Sequence, residues 1–486
     1  MSLFKNWRVN LVLAIILLFG AALVGRLVYL QIIQGEFYRA LAQGQQGGFK
    51  MVKGQRGQIF FSNGEILATN IKKEDGTFQR SYPQNALAAN IVGFVGGEDI
   101  GQYGVEGFYD KVLQGTEEFN NSNPSDVFYN GSDVFLTLDY SLQYRAQGLL
   151  KKAKENLKTE GGQIIVLDPN SGKILAWAEE PGFDPNKYFE VEDFSIFQNG
   201  ASQKLFEPGS VLKPITMVSA LDLDKITPNT TFVDKGSVKI GDRVIENYSK
   251  RVFGEVSMTQ VLEKSINTGA VFVERKIGKS DFLKYLNRFG FFEPTGIDIQ
   301  GEVFSENREL KKGYEFNFAT AAFGQGIEIT PLQLTKAFCA IANGGKLVKP
   351  YLVEKIVDAK NQIRETKPEI SEEIISSSAI SKLTAMMVSV VENGFAKAAR
   401  IPGYYIAGKT GTAQIPWSAL GIDKQGYSNK TWQSFIGFFP AFNPKFVVLI
   451  KLDNPQTNTA EYSAVPVFKE MAEYIIDYYA LAPDYE

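Results

Sequence analysis

The segment Phe206-Glu-Pro-Gly-Ser-Val-Leu-Lys-Pro-Ile-Thr216, FEPGSVLKPIT, sets Ser210 three residues before Lys213, behind a Pro-Gly turn. The apolar spacing of SVLKPITMVSALDL predicts a helix from Ser210 onward. Residues i and i+3 share a helix face, which brings the lysine amine near the serine hydroxyl. The 486 residues include no histidine, so a Ser-His-Asp triad is excluded and the commonest metal ligand is missing. An ammonium cannot take a proton from serine. A lysine in a desolvated, cation-rich pocket loses its proton more readily and can act as the base. Ser-Lys pairs are a known variant of triad logic. Ser-x-x-Lys alone is common, and its bland alternative is an N-cap serine followed by a surface lysine.

Two further elements follow in order. Ser265-Ile266-Asn267 interrupts SMTQVLEKSINTGAVFVERKIG, which otherwise reads as two helices. Lys409-Thr410-Gly411-Thr412 sits in the strand-like run YYIAGKTGTAQ. Ser265 can relay a proton between the lysines and a leaving nitrogen, and Asn267 can hold a substrate amide. Lys409 presents positive charge to a carboxylate and lowers the pKa of a neighbouring lysine. Thr410 and Thr412 add contacts for that substrate. Gly411 leaves room for it beside the strand. The backbone N–H groups of Ser210 and Thr412 are suited to an oxyanion hole. The bland alternatives are a helix corner for Ser265–Asn267 and an ordinary strand end for Lys409–Gly411.

Composition reads as that of an ordinary globular protein. Hydrophobic residues make up 44% and charged residues 22%, and the net charge of −3 points away from nucleic acid. The single cysteine, Cys339, excludes an internal disulfide, and the run AFCAIA predicts that it is a buried small hydrophobe. No cofactor or metal is expected. From Val9 to Ile33 only Asn10, Arg26 and Gln31 are strongly polar. A helix over that stretch rises about 37 Å, enough to cross ~30 Å of hydrocarbon. Lys5 and Arg8 precede it, which places the N-terminus in the cytoplasm and the rest of the chain outside the cell membrane. A cleaved signal peptide is the competing reading.

Four parts are expected: a cytoplasmic tail over 1–8, a transmembrane helix over 9–33, a small mixed α/β pedestal over 34–150, and a catalytic domain over 151–486. Asn63-Gly64 and the DPNSG stretch at 168–172 are hairpin turns between apolar runs. Asp139 is the expected N-cap of a long amphipathic helix. In the second region a strand pair comes first, helices fill the middle and strands close the chain. That order predicts an α+β fold with one antiparallel sheet flanked by helices.

Ser-x-x-Lys, Ser-x-Asn and Lys-Thr-Gly in this order are the signature of penicillin-binding proteins and class A β-lactamases. The sequence closely resembles the class B penicillin-binding proteins, membrane-anchored transpeptidases that cross-link peptidoglycan. RGQIFFSNGEILA (56–68), GVEGFYDKVLQG (104–115), FGQGIEITPLQL (323–334) and SFIGFFPAFNP (434–444) are similar to family segments. The resemblance implies the penicillin-binding/serine β-lactamase-like fold and a D,D-transpeptidase. Ser210 would be acylated by a stem peptide ending in D-Ala-D-Ala, with Lys213 as base and Ser265 protonating the leaving D-alanine. Asn267, Lys409 and Thr410 would position the donor, and β-lactams would acylate Ser210. It further implies a polytopic membrane glycan polymerase as partner, in division or elongation.

The chain departs from many members in two places. Only Ile71–Gln79 stands where they carry a long head subdomain, and Thr431-Trp432-Gln433 stands where many place a histidine. The loop at 415–430 should flank the cleft, with Trp417 and Tyr427 as candidate contacts and Tyr248 as a more distant one. Two alternatives remain at this level: a D,D-carboxypeptidase or β-lactamase using water as acceptor, and a non-catalytic scaffold or sensor of the cell-wall complex.

Overall fold

The computed structural model describes residues 54–115 and 130–485, with a few helical positions between 11 and 24. Among the described residues no helix is long and apolar enough to cross a membrane. The expected tail, most of the expected transmembrane helix, and residues 34–53 lie outside the described residues. Residues 55–486 form one compact unit.

Apolar β-rich runs build a five-stranded antiparallel sheet in the order Ala407–Pro416, Tyr427–Phe439, Phe446–Asp453, Gly161–Leu167, Ile174–Glu180. Every residue of Gly161–Leu167 is buried, as a central strand covered on both faces requires. Opposed residues share a face. Phe435 and Gly437 meet Phe468 of the C-terminal helix Ala464–Tyr478. Gly411 and Ser434, paired across the strands, face the other way, toward Pro208 and Val211. Lys409 is two residues from Gly411 and therefore lies on that same face. The register thus puts the Lys-Thr-Gly strand beside the segment that opens on Ser210.

Asp139 caps the helix Tyr140–Leu157 by accepting from the Leu142 N–H at 2.9 Å. That helix packs on strand Ile174–Glu180 and on the C-terminal helix. A pedestal boundary at 150 therefore cuts through a helix that belongs to the catalytic sheet. The pedestal also borrows from the other side. Its six-stranded sheet runs Ile363–Glu365, Val353–Val357, Asp133–Leu136, Ile59–Phe60, Ile66–Lys72, Phe78–Ser81, so two of its strands come from beyond residue 350. Cys339 lies fully buried in helix Pro331–Ala342, and burial pushes its thiol well above the ordinary range.

Candidate active site

Ser210 sits in a single 3-10 turn, Gly209–Leu212, that runs straight into helix Lys213–Asp222. Gly209 enters the turn at φ +60°, a conformation that glycine takes without steric cost. A Cβ there would lie 3.0 Å from the Ala413 Cβ, so the turn abuts the strand just past Thr412. Lys213 follows one turn on and is 1% exposed.

Ser265 stands between helices Met258–Glu263 and Asn267–Ile277 at φ +52°, a left-handed conformation costly for a non-glycine residue. The strained corner turns both its carbonyl and its hydroxyl toward the lysines. Lys213 Nζ donates to the Ser265 carbonyl at 2.6 Å and to Asn267 Oδ1 at 2.8 Å, and lies 3.2 Å from Ser265 Oγ. Lys409 Nζ lies 2.9 Å from the same Oγ and donates to the Thr410 carbonyl at 3.1 Å, with Thr410 Oγ1 at 3.4 Å. Lys409 is fully buried. Three motifs distant in sequence thus meet at one serine hydroxyl.

The electrostatics follow from what is missing. Among the described residues no carboxylate pairs with either lysine; their partners are neutral oxygens. Burial, and next the Lys409 charge, hold Lys213 well below the ordinary lysine range. Burial alone brings Lys409 to about 7. A neutral Lys213 amine has two N–H groups, matched by the Ser265 carbonyl and Asn267 Oδ1. Its lone pair is then free to take a hydroxyl proton. Ser265 Oγ, bridging the two amines, can accept from one and donate to the other.

The remaining expected residues have mixed placements. Asn267 spends Oδ1 on Lys213 and one N–H on the Glu246 carbonyl at 3.0 Å, leaving one N–H for a ligand. Thr412 Oγ1 accepts from the Ala460 N–H at 3.2 Å. The space beside Gly411 is filled from within: a Cβ there would lie 2.6 Å from Ser434 Oγ, 2.9 Å from Val211 and 3.0 Å from the Pro208 carbonyl. The glycine admits the turn that carries Ser210 rather than a substrate. Tyr248 is 55% exposed. Trp417 stacks under Lys424 at 4.5 Å, inside its own loop.

Sequence reasoning missed Asp234. This buried carboxylate accepts from the Gly236 and Phe253 N–H groups, from the Asn247 amide NH2 at both of its oxygens, and from Thr268 Oγ1 at 2.6 Å. Asn247 Oδ1 in turn accepts from the Thr268 N–H at 3.1 Å. The network locks the hairpins 231–257 to the helix that begins at Asn267. Asp234-Lys-Gly236 reads locally as a plain turn, and only the folded pairing shows its reach.

Comparison with known proteins places this geometry. Residues 162–473 match the family described as penicillin binding protein transpeptidase domain, and 56–132 match the penicillin binding protein A dimerisation domain. "Stage V sporulation protein D" of Bacillus subtilis is 31% identical over 81% of this chain, which spans 63% of that relative's length. "Probable peptidoglycan D,D-transpeptidase PbpC" of Pseudomonas aeruginosa is 30% identical over 88% of this chain and 76% of its own. The crystal structure of penicillin binding protein 3 from Mycobacterium tuberculosis superposes with a TM-score of 0.80 at 29% identity, covering 89% of this chain and 97% of that one. The same protein has been solved complexed with aztreonam and with ampicillin.

Proposed function

The chain belongs to the class B penicillin-binding proteins, and from that premise we propose that it is a peptidoglycan D,D-transpeptidase working through a Ser210 acyl-enzyme. The observation that carries the reading is the meeting of two buried, uncompensated lysines at Ser265 and Asn267, one turn from Ser210.

Lys213, neutral, takes the Ser210 proton as Oγ attacks the carbonyl of the penultimate D-alanine. The oxyanion faces the backbone N–H groups of Ser210 and Thr412. The peptide bond to the terminal D-alanine breaks, and Ser265 delivers a proton to the leaving nitrogen while drawing one from the lysines. Lys409, Thr410 and the free Asn267 N–H orient the donor. A carboxylate arriving at Lys409 favours its charged form and so completes the site. A stem-peptide amine then attacks the ester, an amide forms and Ser210 regains its proton. A β-lactam would follow the first half and stop there.

The apolar stretch Val9–Ile33 with Lys5 and Arg8 before it supports a single-pass anchor, with a cytoplasmic N-terminus and the catalytic domain outside. A membrane glycan polymerase is the proposed partner, engaged through the anchor and pedestal. Fluorescent penicillin should label the wild type, and mass mapping should find the adduct on Ser210. Labelling that survives Ser210→Ala would sink the proposal.

A further inference from the structure

We infer that Glu207 and Tyr427 are positioning residues: their hydrogen bond ties the loop that follows the Lys-Thr-Gly strand to the segment that carries Ser210, and so fixes the mouth of the donor cleft. The inference rests on the acyl-enzyme reading of Ser210.

The segment 206–209 is held on one side by the loop 324–329. Phe206 and Ile329 exchange backbone hydrogen bonds at 2.9 and 3.1 Å, and the Gly209 N–H donates to the Gly324 carbonyl at 2.9 Å. The approach is close: a Cβ on Gly324, whose φ is +82°, would fall 2.1 Å from the Gly209 carbonyl. Glu207, 6% exposed and three residues before Ser210, also accepts from the Gly326 N–H. Its position is thus set by backbone.

On the other side stands Tyr427. It pairs with Pro416 at the neck of the loop, where strands Ala407–Pro416 and Tyr427–Phe439 part. Its hydroxyl donates to Glu207 Oε2 at 3.0 Å, with Oε1 at 3.2 Å. Burial and the neighbouring Glu207 hold the phenol above its ordinary range, so it remains a donor at any working pH. Among the side-chain hydrogen bonds of the described residues, this one alone joins residues 416–427 to residues 206–210. Hollows of about 660 and 600 Å³ border Glu207, one lined by Phe304, Arg308 and Glu328, the other by Ile422 and Lys424.

Tyr427→Phe removes the hydroxyl and keeps the ring, and the full-length protein in detergent with benzylpenicillin as probe reads its effect. Hydrogen exchange of peptides covering 416–427 should quicken at least about threefold as the loop opens locally. The second-order acylation constant should fall about five- to tenfold, the size of one hydrogen bond, through weaker donor affinity rather than a slower limiting rate. Glu207→Gln keeps an acceptor for the phenol and should stay near wild type; Glu207→Ala, which also gives up the Gly326 contact, should fall at least as far as Tyr427→Phe. Either readout left at its wild-type value in Tyr427→Phe overturns the inference, as does a loss confined to the limiting acylation rate. If the wild type itself is not acylated, the acyl-enzyme reading fails, and loop exchange then decides the tether alone.

Discussion

Two buried clusters among the described residues each hold a pair of basic side chains, and they are balanced in opposite ways. In the pedestal, Arg56 and Arg80 close on Glu106, which is fully buried. Arg56 reaches Glu106 at 2.6 Å and Asp110 at 2.8 Å, and Arg80 reaches Glu106 at 2.6 Å. Tyr82 adds a hydroxyl to the same carboxylate at 3.2 Å. Burial works against the Arg56 charge, but Glu106 and Asp110 more than offset it, and its pKa rises. In the catalytic domain, Lys213 and Lys409 meet only neutral oxygens, and both pKa values fall. The first cluster is a fixed brace. The second is a proton store, because burial without a counter-charge leaves the amines poised to lose and regain protons. Arginine suits the brace, since it stays charged and forks onto a carboxylate, and lysine suits the store.

The sharpest way to break this contrast is to remove one member from each cluster. Lys213→Ala should lower the rate of penicillin acylation by about 10²–10⁴-fold, the usual worth of a positioned base, with the fold retained by circular dichroism. Glu106→Ala strands the Arg80 guanidinium and leaves Arg56 with Asp110 alone, and it should cost about 3–5 kcal/mol in denaturant unfolding. The Glu106→Ala protein that remains folded should still be acylated at Ser210. A swapped pattern, with Lys213→Ala unfolding the chain and Glu106→Ala stopping acylation, would void the comparison.

Smaller changes sharpen it. Asp234→Asn turns an acceptor of several donors into an amide that clashes with some of them, at a cost of about 1–3 kcal/mol. Because that network holds the helix starting at Asn267, acylation should slow more than stability alone explains, which parallel unfolding and labelling series would read. Lys409→Arg should have the smallest effect on rate but a specific one on pH. Loss of the Lys409 proton near 7 should give the free wild-type enzyme an alkaline limb in second-order acylation, and loss of activity at lower pH should mark protonation of Lys213. A guanidinium stays charged, so the alkaline limb should move upward while the acid limb stays. An unmoved alkaline limb would assign it elsewhere.

Much of the candidate site was legible from local patterns. Ser210 and Lys213 share one helical turn, the break at Ser265 is visible between two periodic runs, and YYIAGKTGTAQ around Lys409 reads as a strand. The absence of histidine narrowed the base to lysine. What sequence did not reveal depends on long-range pairing. Strands Val353–Val357 and Ile363–Glu365 join the pedestal sheet across more than two hundred residues, and nothing local marks that destination. Gly411 looked like space for substrate, but its neighbours Val211 and Pro208 flank Ser210 on its own turn. Asp234 and Glu207 look like ordinary acidic residues until their partners arrive from hairpins and loops elsewhere in the chain.

The central claim is that Lys213 is a neutral amine in the resting protein. Lysine labelled with ¹³C at Cε, with the Lys213 signal assigned by its loss in Lys213→Arg, gives its titration directly. A midpoint well below the ordinary lysine value of about 10.4 is predicted. A Lys213 signal that titrates at that ordinary value would contradict the account.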